Sequence, residues 1–140
     1  MNQPTTLLDT GPLVAFLANG SDHSLWVTAQ WKRLRPPLLT CEAVLAEAAF
    51  LLKREKASTD AIFTLMDRGV IQVAMSLQEE WTDVRNLMRR YQDRPMSLAD
   101  ACLVRLSELH SRPVVLTFDD DFRIYRRHGN KVIPVLMPEH

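Results

Sequence analysis

The chain has 140 residues, 46% of them hydrophobic, and its 17 basic and 17 acidic side chains leave no net charge. This length and composition are typical of one globular domain, and we expect residues 1–140 to form one. No apolar run approaches the roughly 20 residues of a membrane span, and the N-terminal residues lack the pattern of a secretory signal. We therefore expect a cytoplasmic protein without a membrane segment, and the balanced charge favours no particular partner.

Strands and helices are predicted to alternate along the chain. The predicted strands cover residues 5–8, 38–39, 70–74, 113–117 and 131–136. The predicted helices cover residues 12–18, 24–34, 41–55, 58–67, 77–91, 97–109 and 122–127. Pro12 is expected at the first helical position, Thr40 is expected to cap the third helix, and Gly69 is expected to stop the fourth.

Short apolar strands that alternate with helices are typical of an α/β fold whose parallel sheet is covered on both faces. Such sheets place their sites beyond the carboxyl ends of the strands. That rule draws attention to Asp9, to the helix start at Thr40, and to the acidic run 119–121.

The cysteines and histidines show no spacing of a metal or redox site. Cys41 and Cys102 lie in apolar, helical stretches outside any CxxC pair, and we interpret them as buried thiols in a reducing compartment. The histidines are scattered, and we interpret them as surface or packing residues: His23, His110, His128 and His140.

Two early carboxylates lie in unusual places. Asp9 directly follows the first strand, where it either binds nearby backbone N–H groups or belongs to a site. Glu47 lies inside the mainly apolar segment 43–52. A helix that is apolar on most sides is expected to be buried, so Glu47 is expected to need a metal, an arginine or another hydrogen-bond partner.

Later acids are equally open to two interpretations. Ser97 and Asp100 have the spacing of a capping box at a helix start, a structural role that can coexist with a functional one. Asp119, Asp120 and Asp121 follow the strand at 113–117, and they form either a polar turn or part of a site at that strand's carboxyl end.

If the acidic positions meet at one rim of the sheet, their charges repel. The repulsion is about 1 kcal/mol per pair at 4 Å in water and larger at a lower dielectric. A divalent cation relieves it, and oxygen-only ligands favour Mg²⁺ or Mn²⁺. Such an ion can activate water and stabilise charge on a phosphoryl group.

Two basic groups flank these acids, and each is either a solvated helix face or a surface that binds phosphates. One group is Arg85, Arg89, Arg90 and Arg94, and the other is Arg123, Arg126, Arg127 and Lys131.

The acidic segments, in this order, resemble the successive motifs of the PIN-domain family, particularly its VapC-type toxins. The matching segments are Leu7-Leu8-Asp9-Thr10, Val44-Leu45-Ala46-Glu47, Leu98-Ala99-Asp100-Ala101 and Thr117-Phe118-Asp119-Asp120-Asp121-Phe122. The resemblance covers nearly the whole chain. It implies a three-layer α/β/α sandwich around a mainly parallel sheet, and an endoribonuclease that depends on Mg²⁺ or Mn²⁺.

The resemblance also assigns roles to residues. It implies that four acids hold the metal and carry catalysis, namely Asp9, Glu47, Asp100 and Asp119. It implies that Thr10 and Thr117 support them, whereas Asp120 and Asp121 have no firm counterpart and remain possible auxiliaries. Arg94 and Arg126 are candidates for binding the phosphates of the RNA. A small antitoxin protein and a second copy of the chain are the implied partners.

Other functions fit the sequence less well or remain open. The same acidic pocket can serve a non-catalytic module that binds a metal or a basic partner residue. A phosphatase of the haloacid-dehalogenase kind needs a second acid two residues after Asp9, where this chain has Gly11. A receiver domain needs paired acids near the N-terminus and a late lysine directly after a strand, and neither pattern is found in the sequence. Glycine-rich phosphate loops, HExxH and Gly-x-Ser-x-Gly are likewise missing.

Overall fold

Within residues 3–20 and 22–139, which the computed structural model describes, five parallel strands form a central sheet in the order β3-β2-β1-β4-β7. These strands are β1 (Thr5–Leu8), β2 (Leu38–Thr40), β3 (Ile71–Val73), β4 (Pro113–Leu116) and β7 (Val135–Leu136). A separate antiparallel pair consists of β5 (Arg126–Arg127) and β6 (Lys131–Val132).

Helices flank the sheet on both faces, so the predicted three-layer α/β/α sandwich is confirmed. They are α1 (Thr10–Ala18), α2 (Ser24–Arg33), α3 (Glu42–Arg54), α4 (Asp60–Asp67), α5 (Leu77–Arg90) and α6 (Leu98–Glu108). A short 3₁₀ helix spans Asp120–Arg123. No helix in the described part of the chain is both long and apolar enough to cross a membrane.

The strand order places a crevice at the centre of the sheet. The chain runs outward from β1 through β2 to β3, and then returns to pair β4 with the other side of β1. In such sheets the reversal opens a crevice beyond the carboxyl ends of the two strands on either side of it. Here those strands are β1 and β4, so the residues that follow Leu8 and Leu116 lie at the crevice.

The core lies around the central strands and α6. Leu7, Leu8, Val115 and Leu116 are fully buried because helices cover both faces of the sheet. Residues 99–104 of α6 are also all buried. Cys41 and Cys102 are free and buried, as predicted. His23 and His128 are exposed and His110 is half-buried, whereas His140 lies outside the described residues.

Two predicted helix starts were wrong. Helix α1 begins at Thr10, so Pro12 is its third residue. The side chain of Asp9 caps α1 by accepting a hydrogen bond from the backbone N–H of Thr10. Thr40 does not cap α3, because it is the last residue of β2 and its hydroxyl donates to the carbonyl of Leu8 at 2.8 Å. Cys41 holds the cap position instead.

The predicted C-terminal elements also needed correction. The helix expected over 122–127 is a 3₁₀ helix over 120–123 followed by β5. The strand expected over 131–136 is divided into β6 and β7 by Pro134. Proline has no N–H to donate to a strand partner, so a continuous strand is unfavourable there. His128 and Gly129 take positive φ angles in the turn between β5 and β6.

Candidate active site

Asp9 is a buried carboxylate at the carboxyl end of β1, with 7% of its surface exposed. Its Oδ1 accepts from the N–H of Thr10 at 2.8 Å, and its Oδ2 accepts from the Thr117 hydroxyl at 2.6 Å. Burial, together with the negative charges of Asp100 and Asp119, raises the pKa of Asp9 to about 6 against the opposing effect of the two hydrogen bonds. Asp9 is therefore an anion in an environment that disfavours a negative charge.

Thr117 joins two of the acids. It follows β4, is fully buried, and donates its hydroxyl proton to Asp9. The same hydroxyl oxygen accepts from the backbone N–H of Asp119 at 2.9 Å. The Oδ1 of Asp119 in turn accepts from the N–H of Asp121 at 2.9 Å, which fixes the start of the 3₁₀ helix. Asp120 is exposed and lies 3.7 Å from the Nε of Arg123.

Asp100 combines a structural role with a place among the acids. It forms the predicted capping box with Ser97: the hydroxyl of Ser97 accepts from the Asp100 N–H at 3.0 Å, and Asp100 Oδ2 accepts from the Ser97 N–H at 3.1 Å. Burial raises the pKa of Asp100, and the charges of Asp119 and Glu47 add to that effect. The helix cap thus holds a buried carboxylate near the other acids.

The prediction that Glu47 is buried was wrong, because its side chain is exposed. The buried face of α3 consists of Val44, Ala48 and Leu52, which lie four residues apart. The apolar neighbours of Glu47 therefore lie partly at the surface, and Phe50 is 63% exposed. The partner of Glu47 is Thr10, whose hydroxyl donates to Glu47 Oε1 at 2.9 Å.

Repulsion between carboxylates thus links four acids, because Asp9 and Asp100 each feel the charge of Asp119, Asp9 feels that of Asp100, and Asp100 feels that of Glu47. No lysine, arginine or histidine of residues 3–20 and 22–139 forms an ion pair with any of them. Their oxygen atoms are the ligands that a hard divalent cation prefers. Chemically, this donor set fits Mg²⁺ or Mn²⁺.

The acids do not converge tightly by themselves. Among the described residues, no group of three or more His, Cys, Asp or Glu side chains is arranged to hold a metal together. Several carboxylate oxygens are turned toward neighbouring N–H and O–H groups instead, such as Asp9 Oδ2 toward Thr117. An ion at this site would therefore require coordination through water or a rotation of side chains, and Mg²⁺ usually keeps several waters.

The two arginines that sequence analysis selected differ in their surroundings. Arg94 is exposed in the turn that follows α5. Arg126 is half-buried, and its Nη1 donates to the carbonyl oxygens of Arg123, Ile124 and Tyr125. Part of its guanidinium therefore stabilises the end of the 3₁₀ helix, and its remaining N–H groups are the ones left for a phosphate.

Sequence analysis missed Tyr125 and a group of aromatic rings. Tyr125 is fully buried and its hydroxyl donates to Asp100 Oδ2 at 3.5 Å. Burial raises the pKa of Tyr125, with the charge of Asp100 adding to the shift. No sequence pattern indicated this contact, since Tyr125 lies in an arginine-rich segment. Phe118 also contacts His23 and Trp26 beside the acids, and these two rings come from a distant part of the chain.

Comparison with known proteins agrees with this architecture. The family model of the PIN domain matches residues 6–127. Among solved structures, the chain is similar to VapC20 of Mycobacterium tuberculosis, described as a Sarcin-Ricin loop cleaving toxin, with a TM-score of 0.72 and 21% sequence identity. That likeness covers 84% of this chain and 92% of the other. A search of curated protein sequences gave no significant match.

Proposed function

This chain belongs to the PIN-domain family, and we propose that it is a metal-dependent endoribonuclease and the toxin of a toxin–antitoxin pair. The observation that carries the proposal is the set of four acids that repel one another at the crevice between β1 and β4, two of them buried and none with a cationic partner in the described chain. We take residues 1–140 as one catalytic domain.

Mg²⁺ or Mn²⁺ is the proposed cofactor, held directly or through water by Asp9, Glu47, Asp100 and Asp119. When bound, the ion supplies a water of lowered pKa and stabilises negative charge on the phosphoryl oxygens. Asp119 completes the site or orients the attacking water. In the proposed hydrolysis a water oxygen would bond to phosphorus in line with the P–O3′ bond that breaks. The O3′ atom would leave and take up a proton, so the products would carry a 5′-phosphate and a 3′-hydroxyl.

The two threonines act as positioning residues in this proposal. Thr117 holds Asp9 and Asp119 in a fixed relation through one hydroxyl. Thr10 connects α1 to the exposed Glu47 on α3. Groups that orient ligands in this way have typical effects of about 10- to 100-fold on metal affinity or activity.

The proposed substrate is unpaired or looped RNA, because sequence-specific reading of RNA generally targets unpaired bases. The similar toxin VapC20 is described as cleaving a loop, which supports this choice of substrate. Arg94 and the remaining N–H groups of Arg126 are proposed to bind flanking phosphates.

A small antitoxin is the proposed protein partner. The proposed oligomeric state is a homodimer, and the proposed location is the cytoplasm. An apolar cleft beside Glu47 supports the antitoxin: Ala46, Phe50 and Leu51 line it together with Glu47, and its volume is about 410 Å³. An apolar segment of the antitoxin that carries an arginine would cover the cleft, and the arginine would neutralise the negative charge of the acids.

The test is cleavage of RNA by the purified chain, freed of any partner, with Mg²⁺ or Mn²⁺ and with EDTA. Asp9→Asn keeps the size of the side chain and should abolish cleavage, while the exposed Asp93→Asn serves as the matched control and should cleave normally. Cleavage by Asp9→Asn at the normal rate would show that the site is wrong. Intact RNA with folded, metal-bound protein would favour a non-catalytic binding module.

A further inference from the structure

An aromatic cluster lies directly beside the proposed catalytic acids. Phe118 stands in the chain between Thr117 and Asp119. The centroid of its ring is 4.5 Å from that of His23 and 6.2 Å from that of Trp26. Gly11 permits this placement, because a Cβ at residue 11 would lie 2.9 Å from Cδ2 of Phe118. The Phe118 ring is thus set against the first turn of α1, which Asp9 caps.

Trp26 also forms one wall of an open cleft of about 590 Å³. The lining residues are Trp26, Gln30, Leu136, Met137, Pro138 and Glu139. Trp26 and Gln30 are four residues apart on α2 and so share one face of that helix. The volume lies within the range of about 300–1,000 Å³ that is usual for small-molecule sites.

The cleft is connected to the catalytic acids through the backbone. The N–H of Thr117 donates to the carbonyl of Leu136 at 3.2 Å. The hydroxyl of the same threonine donates to Asp9. Since β7 lies next to β4 in the sheet, the residues after Leu136 extend along the same rim as Asp119. A group bound in the cleft would therefore be a near neighbour of a phosphate at the acids.

The lining of the cleft matches the chemistry of a nucleobase, which has flat apolar faces and a polar edge. Trp26, Leu136, Met137 and Pro138 offer apolar surface. Gln30 offers an amide that can both donate and accept, and in the described part of the chain that amide has no hydrogen-bond partner. Stacking of bases on aromatic side chains is a common means of holding single strands.

We propose that this cleft is a nucleobase subsite. The unpaired base of a nucleotide that flanks the scissile phosphate stacks on Trp26, and the Gln30 amide hydrogen-bonds its edge. The inference rests on the proposed ribonuclease function, since it names how that site holds its RNA. Phe118, whose ring also contacts His23, supports the tryptophan from the side of the acids.

The experiment measures binding without cleavage. In the Asp9→Asn background with EDTA, affinity is measured for an oligoadenylate on the order of ten nucleotides long and for an abasic ribose-phosphate chain of the same length and charge. The expected result is that Trp26→Leu weakens oligoadenylate binding by about 10- to 100-fold and leaves the abasic chain unaffected. Trp26→Phe keeps an aromatic face and should retain most of the affinity.

Trp81→Leu is the matched control, because Trp81 is a half-exposed tryptophan of α5 that does not line the cleft. Thermal unfolding of each variant verifies the fold. If folded Trp26→Leu binds oligoadenylate as tightly as Trp81→Leu does, the proposal is overturned. Equal weakening for the oligoadenylate and the abasic chain would also overturn it. Because the assay requires no cleavage, its outcome is separate from that of the ribonuclease test.

Discussion

Asparagine in place of Asp9 should abolish cleavage and at the same time stabilise the metal-free fold. The pKa of Asp9 is about 6 in the folded chain against a reference value of 3.8, a rise of about 2 units. Each unit corresponds to about 1.4 kcal/mol, so ionised Asp9 destabilises the fold by about 3 kcal/mol at pH 8. Asparagine carries no charge and avoids this cost.

One hydrogen bond offsets part of the gain. An asparagine oxygen can still accept from the Thr10 N–H, but its NH₂ group cannot accept the proton that Thr117 donates. That loss costs about 1 kcal/mol. The net effect is a stabilisation of about 2 kcal/mol, which raises Tm by roughly 5 °C for a chain of this size.

The stability difference between Asp9→Asn and the wild type should depend on pH in a definite direction. A carboxyl group whose folded pKa is raised contributes stability that is present below pH 3.8 and is lost as the pH rises through about 6. In EDTA the Tm advantage of Asp9→Asn over the wild type should therefore be absent near pH 4 and complete above pH 7. Thermal unfolding at several pH values measures it, with Asp93→Asn as the control.

Divalent metal should make the wild type more stable than Asp9→Asn, which is the reverse of their order in EDTA. At about 100 times its Kd, Mg²⁺ or Mn²⁺ stabilises the wild type by about 3 kcal/mol, and Asp9→Asn should gain much less. If Asp9→Asn is less stable than the wild type in EDTA at pH 8, the reasoning on Asp9 burial is refuted.

Three further substitutions test neighbouring contacts. Thr117→Val should lower the cleavage rate by about 10- to 100-fold, because the hydroxyl that orients Asp9 is lost, whereas Thr117→Ser should retain most of it; a steady-state assay of both variants compares them. Gly11→Ala should destabilise the fold by about 1–3 kcal/mol in urea unfolding, because the Phe118 ring must move; an unchanged midpoint would contradict the close approach of that ring to residue 11. Glu47→Gln should abolish cleavage while the free energy of unfolding stays within about 0.5 kcal/mol, because this side chain is exposed; a large loss of stability would instead indicate a structural role.

Local sequence signals predicted the layered architecture of the fold better than its C-terminal elements. Alternation of apolar strands with helices predicted the α/β architecture, and the Ser97 to Asp100 spacing predicted the cap of α6. The prediction for the C-terminal segment was wrong because one residue, Pro134, decides whether residues 131–136 form one strand or two. The split also depends on pairing between β5 and β6, which periodicity within a segment does not reveal.

In the candidate site, too, some features were predicted from local sequence signals and others were not. The position of Asp9 after a strand placed it at the crevice, as the rule for parallel sheets predicts. The prediction that Glu47 is buried was wrong because the apolar residues around it suggested a helix buried on most sides, whereas α3 buries only one face against the core. In this fold α6 is the helix buried nearly all round. Contacts between distant segments, such as Trp26 with Phe118, had no sequence signal.

The most direct test of the central claim is the chemistry of the RNA ends that the purified chain produces. Hydrolysis by a water activated at a metal held by these acids predicts a 5′-phosphate and a 3′-hydroxyl, formed with Mg²⁺ or Mn²⁺ and not in EDTA, and absent with Asp9→Asn. Ends carrying a 2′,3′-cyclic phosphate and formed equally in EDTA would mean that the RNA's own 2′-hydroxyl is the nucleophile, and would contradict a metal-dependent carboxylate site.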